Sequence, residues 1–231
     1  MTLDTYTKSL LHFDGSNNST TFTDESGKTW TPAGNAKLVT SAYKFAPSSG
    51  YFDGVGDYIS TPNHADFDLD SVDFTIDFWL KCTELSAGEL QEVVGKLNSW
   101  FIFLSYDGSG KAYVGMVFPT GGSEYLTDIG SIDVDTWTHI AVSVDVSAME
   151  LYAFIDGYLV GDMYYEFTDN TETLNIGRGV NTFIDDSLVN YEGYIDEFRL
   201  SKGVCRWTAD FTPPAKPYGA DFKPRVIIIG G

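Results

Sequence analysis

The sequence predicts an all-β protein, an antiparallel sandwich of two sheets in one domain. Three observations lead there. Short runs alternate apolar with polar side chains, the period of a strand with one buried face. Asp-Gly pairs and clusters of Asn, Asp, Ser and Pro punctuate those runs. No stretch carries the helical period over an ordinary helix length. At 231 residues the chain is long enough for one large β-domain with a sizeable core.

Residues 10–13 read as a first strand, stopped by Asp14-Gly15. Residues 16–31 are polar and turn-rich, hence a loop. Residues 39–45, 50–52 and 58–59 resume strands around a turn at 53–57. Residues 63–73 form an Asp-rich loop. Phe74, Ile76, Phe78, Leu80 and Cys82 then alternate with Thr75, Asp77, Trp79 and Lys81, a strand with one core face on which Cys82 is a small core residue. Residues 93–96, 100–106 and 112–118 continue the pattern. In residues 136–146, Ile140, Val142, Val144 and Val146 alternate with Trp137, His139, Ala141, Ser143 and Asp145. Residues 151–155 meet Asp156-Gly157, a hairpin signal, and 158–163 pair back. Strands at 173–177 and 190–201 close the set.

The last strand and its exit, YEGYIDEFRLSKGVCRWTADFTPP over residues 191–214, hold the most informative acid. Simple alternation aligns Asp196 with Tyr194, Phe198 and Leu200 on one face. A carboxylate among core residues needs a cation or several donors, since burying it alone costs several kcal/mol, to order of magnitude. Asp196 therefore either accepts backbone N–H groups at a bend or ligates a cation.

Lys and Arg number 14 against 33 Asp and Glu, for a net charge of −19. That balance excludes a basic nucleic-acid surface and suits an acidic surface that can attract divalent cations. Residues 1–9 lack a basic start followed by an apolar run, so no secretory signal is expected. No apolar run reaches spanning length, so no membrane partner is expected. Cys82 and Cys205 are therefore expected to be reduced. Residues 215–231 carry Pro217, Pro224 and the run RVIIIGG. They read as an extended arm that either adds an edge strand to this domain or pairs with a partner's sheet edge.

In order along the chain, LLHFDGS (10–16), YFDGVGDYIS (51–60), FTIDFWLK (74–81), TWTHIAVSVD (136–145) with YAFIDGYLVG (152–161), and LNIGRG followed by EGYIDEFRLS resemble the laminin-G-like domains of the concanavalin A-like lectin/glucanase superfamily. The closing segment, with RWTADFTPP, is similar to versions found in bacterial and bacteriophage proteins. The resemblance spans residues 10–214 and implies a concanavalin A-like jelly roll over 1–214 with an arm at 215–231. It also implies a structural calcium near the first and last strands, with Asp14 and Asp196 as ligands helped by backbone carbonyls. The function it implies is a non-catalytic virion-surface protein, a capsid decoration protein or a tail-associated adhesin. The expected partners are capsid or tail proteins and host glycans, with homo-oligomers. A free calcium-dependent lectin and a glycosidase or lyase are the alternatives.

Hydrolysis is disfavoured on the residues themselves. Glycosidases of that superfamily use E-x-D-x-E or E-x-D-x-x-E on one strand, two carboxylates flanking the sugar. Around Asp196 the corresponding positions are Tyr194 and Phe198 or Arg199. Ser26-Gly27-Lys28-Thr29 lacks the leading glycine of a phosphate loop, with Phe22 in its place. Asp66, Asp68, Asp70 and Asp77 match calcium-loop spacing, but Ser71 replaces the turn glycine and a strand follows. His12, His64 and His139 are too dispersed for a metal helix motif. Sugar-binding proteins present flat aromatic rings to sugar faces, which makes Trp30, Trp100 and Tyr125 candidates. Trp207 is expected to pack against the body.

Overall fold

The computed structural model describes residues 3–83, 88–97, 99–106, 108–117, 126–164, 169–179 and 188–219. Sixteen strands follow in chain order: β1 (Thr7–Leu11), β2 (Thr31–Ala33), β3 (Lys37–Val39), β4 (Ser49–Asp53), β5 (Tyr58–Thr61), β6 (Phe74–Cys82), β7 (Leu90–Lys96), β8 (Trp100–Tyr106), β9 (Lys111–Val117), β10 (Leu126–Asp133), β11 (Thr138–Asp145), β12 (Glu150–Ile155), β13 (Tyr158–Tyr164), β14 (Leu174–Ile176), β15 (Leu188–Asn190) and β16 (Glu192–Lys202). The described residues contain no α-helix. A short 3-10 turn at Ala65–Phe67 is the one helical piece among them.

The first sheet runs β13-β12-β11-β6-β16-β4-β3, with β1 also on β16. The second runs β10-β9-β8-β7-β14-β5-β2, with β15 also on β7. The β15–β7 pair is parallel; the other described pairs are antiparallel. This is the expected two-sheet jelly-roll sandwich. Three strands escape simple alternation. β2 contains Pro32, tolerated because β2 is an edge strand. β10 shifts register between Asp128 and Gly130. β15 is only three residues long. The expected strand at 39–45 ends early, at Val39, and residues 40–48 form a loop over the sheet.

The core lies between the sheets. Phe74, Ile76, Phe78, Leu80 and Cys82 of β6 face Val94, Trp100, Ile102, Leu104, Val114 and Met116 of the second sheet. Neither Cys82, which is buried, nor Cys205 is in a disulfide.

β16 does not keep one phase. Asp196 pairs with Trp79, and the next pair is Arg199 with Asp77, so two residues of β16 oppose one of β6. Glu197 sits in that bulge with φ of +54°. The expected single face of Tyr194, Asp196, Phe198 and Leu200 is therefore corrected. Ile195, Phe198 and Leu200 enter the core, while Tyr194, Asp196 and Arg199 lie on the outer face.

The bulge sets Arg199 opposite Asp77. Arg199 donates Nε to Oδ1 and a terminal nitrogen to Oδ2, both at 2.9 Å. Tyr218 Oη donates to the same Asp77 Oδ2, and His139 Nε2 lies 3.1 Å from Tyr218 Oη. Burial alone would push Asp77 up, but Arg199 and His139 hold it well below the usual carboxylate range. The segment after β16 folds back to seal this cluster. Arg206 N donates to Thr75 Oγ1 at 3.0 Å, and Phe211 N donates to Gly157 O at 2.8 Å. Trp207 and Phe211 stack at 3.8 Å, so Trp207 packs against the body as expected. Tyr218 is buried too, so ordered packing continues beyond Pro214. Residues 220–231, with the RVIIIGG run, lie outside the described residues.

Candidate functional site

The outer face of β6 shows in order Thr75, Asp77, Trp79 and Lys81. The closing segment covers the first two. Trp79 lies under Lys44, whose Nζ is 3.5 Å from the ring centroid, and meets Phe45 edge-on. Lys81 lies beyond this cover, at the start of an open row.

Strand register builds that row. Lys37 of β3 pairs with Tyr51 of β4, Tyr51 with Tyr194 of β16, and Tyr194 with Lys81 of β6. Directly opposed residues share a face, so four strands present one line of half-buried side chains. The Tyr51 and Tyr194 rings are 5.1 Å apart and tilted by 40°. Trp137, just before β11, extends the line with its ring 6.4 Å from Tyr194. Burial and the neighbouring Tyr194, Glu192 and Asp53 raise the Tyr51 pKa, which keeps its hydroxyl a neutral donor.

Above Tyr51 and Tyr194 is an open cleft of about 380 Å3, lined also by Asn17, Asn18, Lys37, Val39, Thr40 and Ser41. Its polar rim is tied to β3. Asn18 N donates to Leu38 O and Leu38 N to Ser19 O, both at 2.8 Å, and Thr40 N donates to Asn17 Oδ1 at 3.2 Å. Lys37 has no carboxylate partner among the described residues. Aromatic faces beside amides, hydroxyls and an ammonium are the chemistry that grips a sugar: rings for its C–H face, polar groups for its hydroxyls.

The aromatic candidates read from the sequence fall elsewhere. Trp30 is 5% exposed: its Nε1 donates to Asp24 Oδ2 at 3.0 Å and its ring meets Phe198 edge-on. Trp100 is 1% exposed, on the inward phase of β8 with Ile102 and Leu104. Neither offers a face to a ligand. Tyr125 lies outside the described residues. Tyr51 and Tyr194 were missed because each sits in a motif that reads as framework. The usable signal is positional, since cross-strand register alone shows that Lys37, Tyr51, Tyr194 and Lys81 form one line.

Asp14, in the loop after β1, and Asp196, on β16 under the loop joining β3 to β4, fall within electrostatic reach of one another. Asp14 is exposed and Asp196 fully buried. Asp196 Oδ2 accepts from Lys44 N and Phe45 N, each at 2.9 Å. Its Oδ1 is buried with no partner. Burial pushes Asp196 up to about 8, against the two N–H donors and with help from Glu197 and Asp14. Glu197 itself is tied to His12 Nδ1 at 2.6 Å and Tyr218 N at 2.8 Å. Burial lowers the His12 pKa, but Glu197 outweighs it and the net shift is upward. Among the described residues no three His, Cys, Asp or Glu side chains group as a metal site. A calcium ion here would draw on Asp196 Oδ1, Asp14 and main-chain carbonyls. The orphaned Oδ1 is the one buried carboxylate oxygen without a partner among the described residues. Glu197 is already engaged by His12 and Tyr218 N, so most of a cation's ligands would have to be Asp14 and main-chain carbonyls.

The two-sheet jelly roll is the concanavalin A-like fold. Residues 52–208 match the Laminin_G_3 model of the concanavalin A-like lectin/glucanases superfamily, and the chain belongs to that family. No curated protein matches by sequence. Solved structures match more widely. The binding domain of Paraclostridial Mosquitocidal Protein 1 aligns at TM-score 0.67 and 15% identity, over 85% of this chain and 48% of that one. Domain 4 of AbnA, a GH43 extracellular arabinanase from Geobacillus stearothermophilus in complex with arabinotriose, aligns at 0.58 and 19%, over 86% and 93%. Botulinum neurotoxin type C, described as entering cells through two ganglioside molecules, aligns at 0.60 and 14%, over 85% and 47%. The chain thus spans about half the length of the toxin chains it resembles. Among the described residues no helix is long and apolar enough to cross a membrane.

Proposed function

We propose that this chain is a non-catalytic glycan-binding module that holds sugar on the Tyr51, Tyr194 and Trp137 row. The observation that carries this reading is the register that lines up half-buried rings beside a polar cleft. The similar solved structures support it, since they include an arabinotriose complex and a ganglioside-dependent toxin. The carboxylates of the closing strand argue for binding without turnover. Asp196 and Glu197 are buried, and the flanking positions carry Tyr194 and Arg199. A calcium ion at Asp196 and Asp14 would brace the loops beside the cleft.

On a glycan array, wild-type protein is expected to give a defined set of positive sugars. The Tyr51→Ala/Tyr194→Ala variant should lose them by tenfold or more, about 1.4 kcal/mol, with its melting temperature nearly unchanged. A blank array, or full binding by the double variant, would remove this reading.

The finer reading sets the module on a bacteriophage particle, as a capsid decoration protein or tail-associated adhesin. What supports it is the resemblance of the closing strand to phage versions of the family. Native mass spectrometry is expected to show a trimer or larger ring; a monomer at micromolar concentration would count against it.

A further inference from the structure

The row has a length as well as a chemistry. Neighbouring strands lie about 4.8 Å apart, and the residues of a linear sugar chain follow one another at about the same interval. The rings keep that step: 5.1 Å from Tyr51 to Tyr194 and 6.4 Å from Tyr194 to Trp137. The line runs across the strands and reaches the sheet edge at β3. Lys37 flanks Tyr51 there, its Nζ 5.8 Å from that ring's centroid. Lys81 stands at the Trp137 end, its Nζ 3.5 Å from Asp135 Oδ1. The cleft is open above Tyr51 and Tyr194, its polar rim comes from the β3 side, and Trp137 lies beyond the cleft lining. A site for one terminal sugar would instead be a closed pocket with polar groups converging on a single ring.

Resting on the glycan-binding reading, we infer that the site takes three consecutive residues of a linear oligosaccharide laid across the strands, one residue per ring. The residue over Tyr51 is held by polar contacts from Asn17, Asn18, Thr40 and Lys37 and carries most of the selectivity. The residues over Tyr194 and Trp137 are held mainly by stacking, so they tolerate variation in sugar identity. Internal segments of polysaccharides, rather than capped chain ends, are then the ligand class.

Calorimetric titration with cello-, xylo- and manno-oligosaccharides of one to five residues tests this. In the best-binding series, affinity is expected to rise severalfold to about tenfold for each residue up to three, then level off. Trp137→Ala should bring the trisaccharide down to the disaccharide's affinity and leave the disaccharide unchanged. A monosaccharide that binds as tightly as the trisaccharide would overturn the inference while leaving glycan binding intact. So would a Trp137→Ala loss that is equal at every chain length. If no series binds and the glycan array is blank, the underlying reading fails and the inference falls with it; if the array is positive, the same length series is read on the sugar it identifies. The chain-length series on wild-type protein decides the matter even if Trp137→Ala folds poorly.

Discussion

Arg199→Met should be the most damaging single substitution on the outer face, destabilising the protein at pH 7 by about 3–5 kcal/mol. The variant strands Asp77, fully buried, with Tyr218 and His139 but without the guanidinium that balances its charge. Arg199 also stacks on Tyr218, 3.9 Å from its ring centroid, so the closing segment loses a second hold. At about 2–4 °C per kcal/mol for a chain of this size, the melting temperature should fall by roughly 10 °C. The pH dependence has a fixed sign. Asp77 is held below its ordinary 3.8, so its pairing stabilises the protein above about pH 4 and is lost as pH falls further. The gap between wild type and variant should therefore close in acid. Asp77→Leu/Arg199→Met, which leaves no charge stranded, should recover much of the loss. Denaturant midpoints at pH 7 check each value; a single variant as stable as wild type would show that the pair is solvated.

Asp196→Asn should act in the opposite direction. Asp196 is raised from 3.8 to about 8 by burial. A group shifted this way stabilises most below its unfolded value, and that stability drains away as pH climbs through the folded value. Wild type should thus lose stability relative to Asp196→Asn between about pH 4 and pH 8. The full gap is on the order of 5 kcal/mol. The amide keeps an acceptor for Lys44 N and Phe45 N without a charge to bury. Calcium should change the ranking. A cation on Oδ1 favours the ionised form, so millimolar calcium should raise the wild-type melting temperature at pH 8, and chelator should reverse it. Asp196→Asn should not respond. A wild type indifferent to both calcium and chelator would remove the cation from the account of these loops.

Much of the fold was legible because alternation is a local signal. β6 and β11 each declare one buried face in their own residues, and the structure keeps both. β16 did not, because a bulge at Glu197 exchanges its faces halfway along. A glutamate at positive φ carries no mark in the sequence, and its cause is tertiary: Glu197 is held by His12 and Tyr218 N from distant segments. The candidate site was less legible for a related reason. Trp30 and Trp100 drew notice as tryptophans, yet an indole has more apolar surface to bury than a tyrosine. Asp24 and the core take both. The row of Tyr51, Tyr194 and Trp137 joins three segments remote in sequence, and only the pairing of β4, β16, β6 and β11 brings them into line. Asp196 was singled out correctly as an acid needing partners, but its donors come from the loop at Lys44 and Phe45, which alternation had read as strand.

The most direct measurement is amide and indole chemical-shift mapping of the isotope-labelled protein during titration with a trisaccharide found on the array. The expected shifts cluster at Lys37, Tyr51, Tyr194, Lys81 and the Trp137 indole, together with the loop at Asn17 and Thr40. Saturable shifts confined to the second sheet, with that row unmoved, would contradict binding on the outer face of the first.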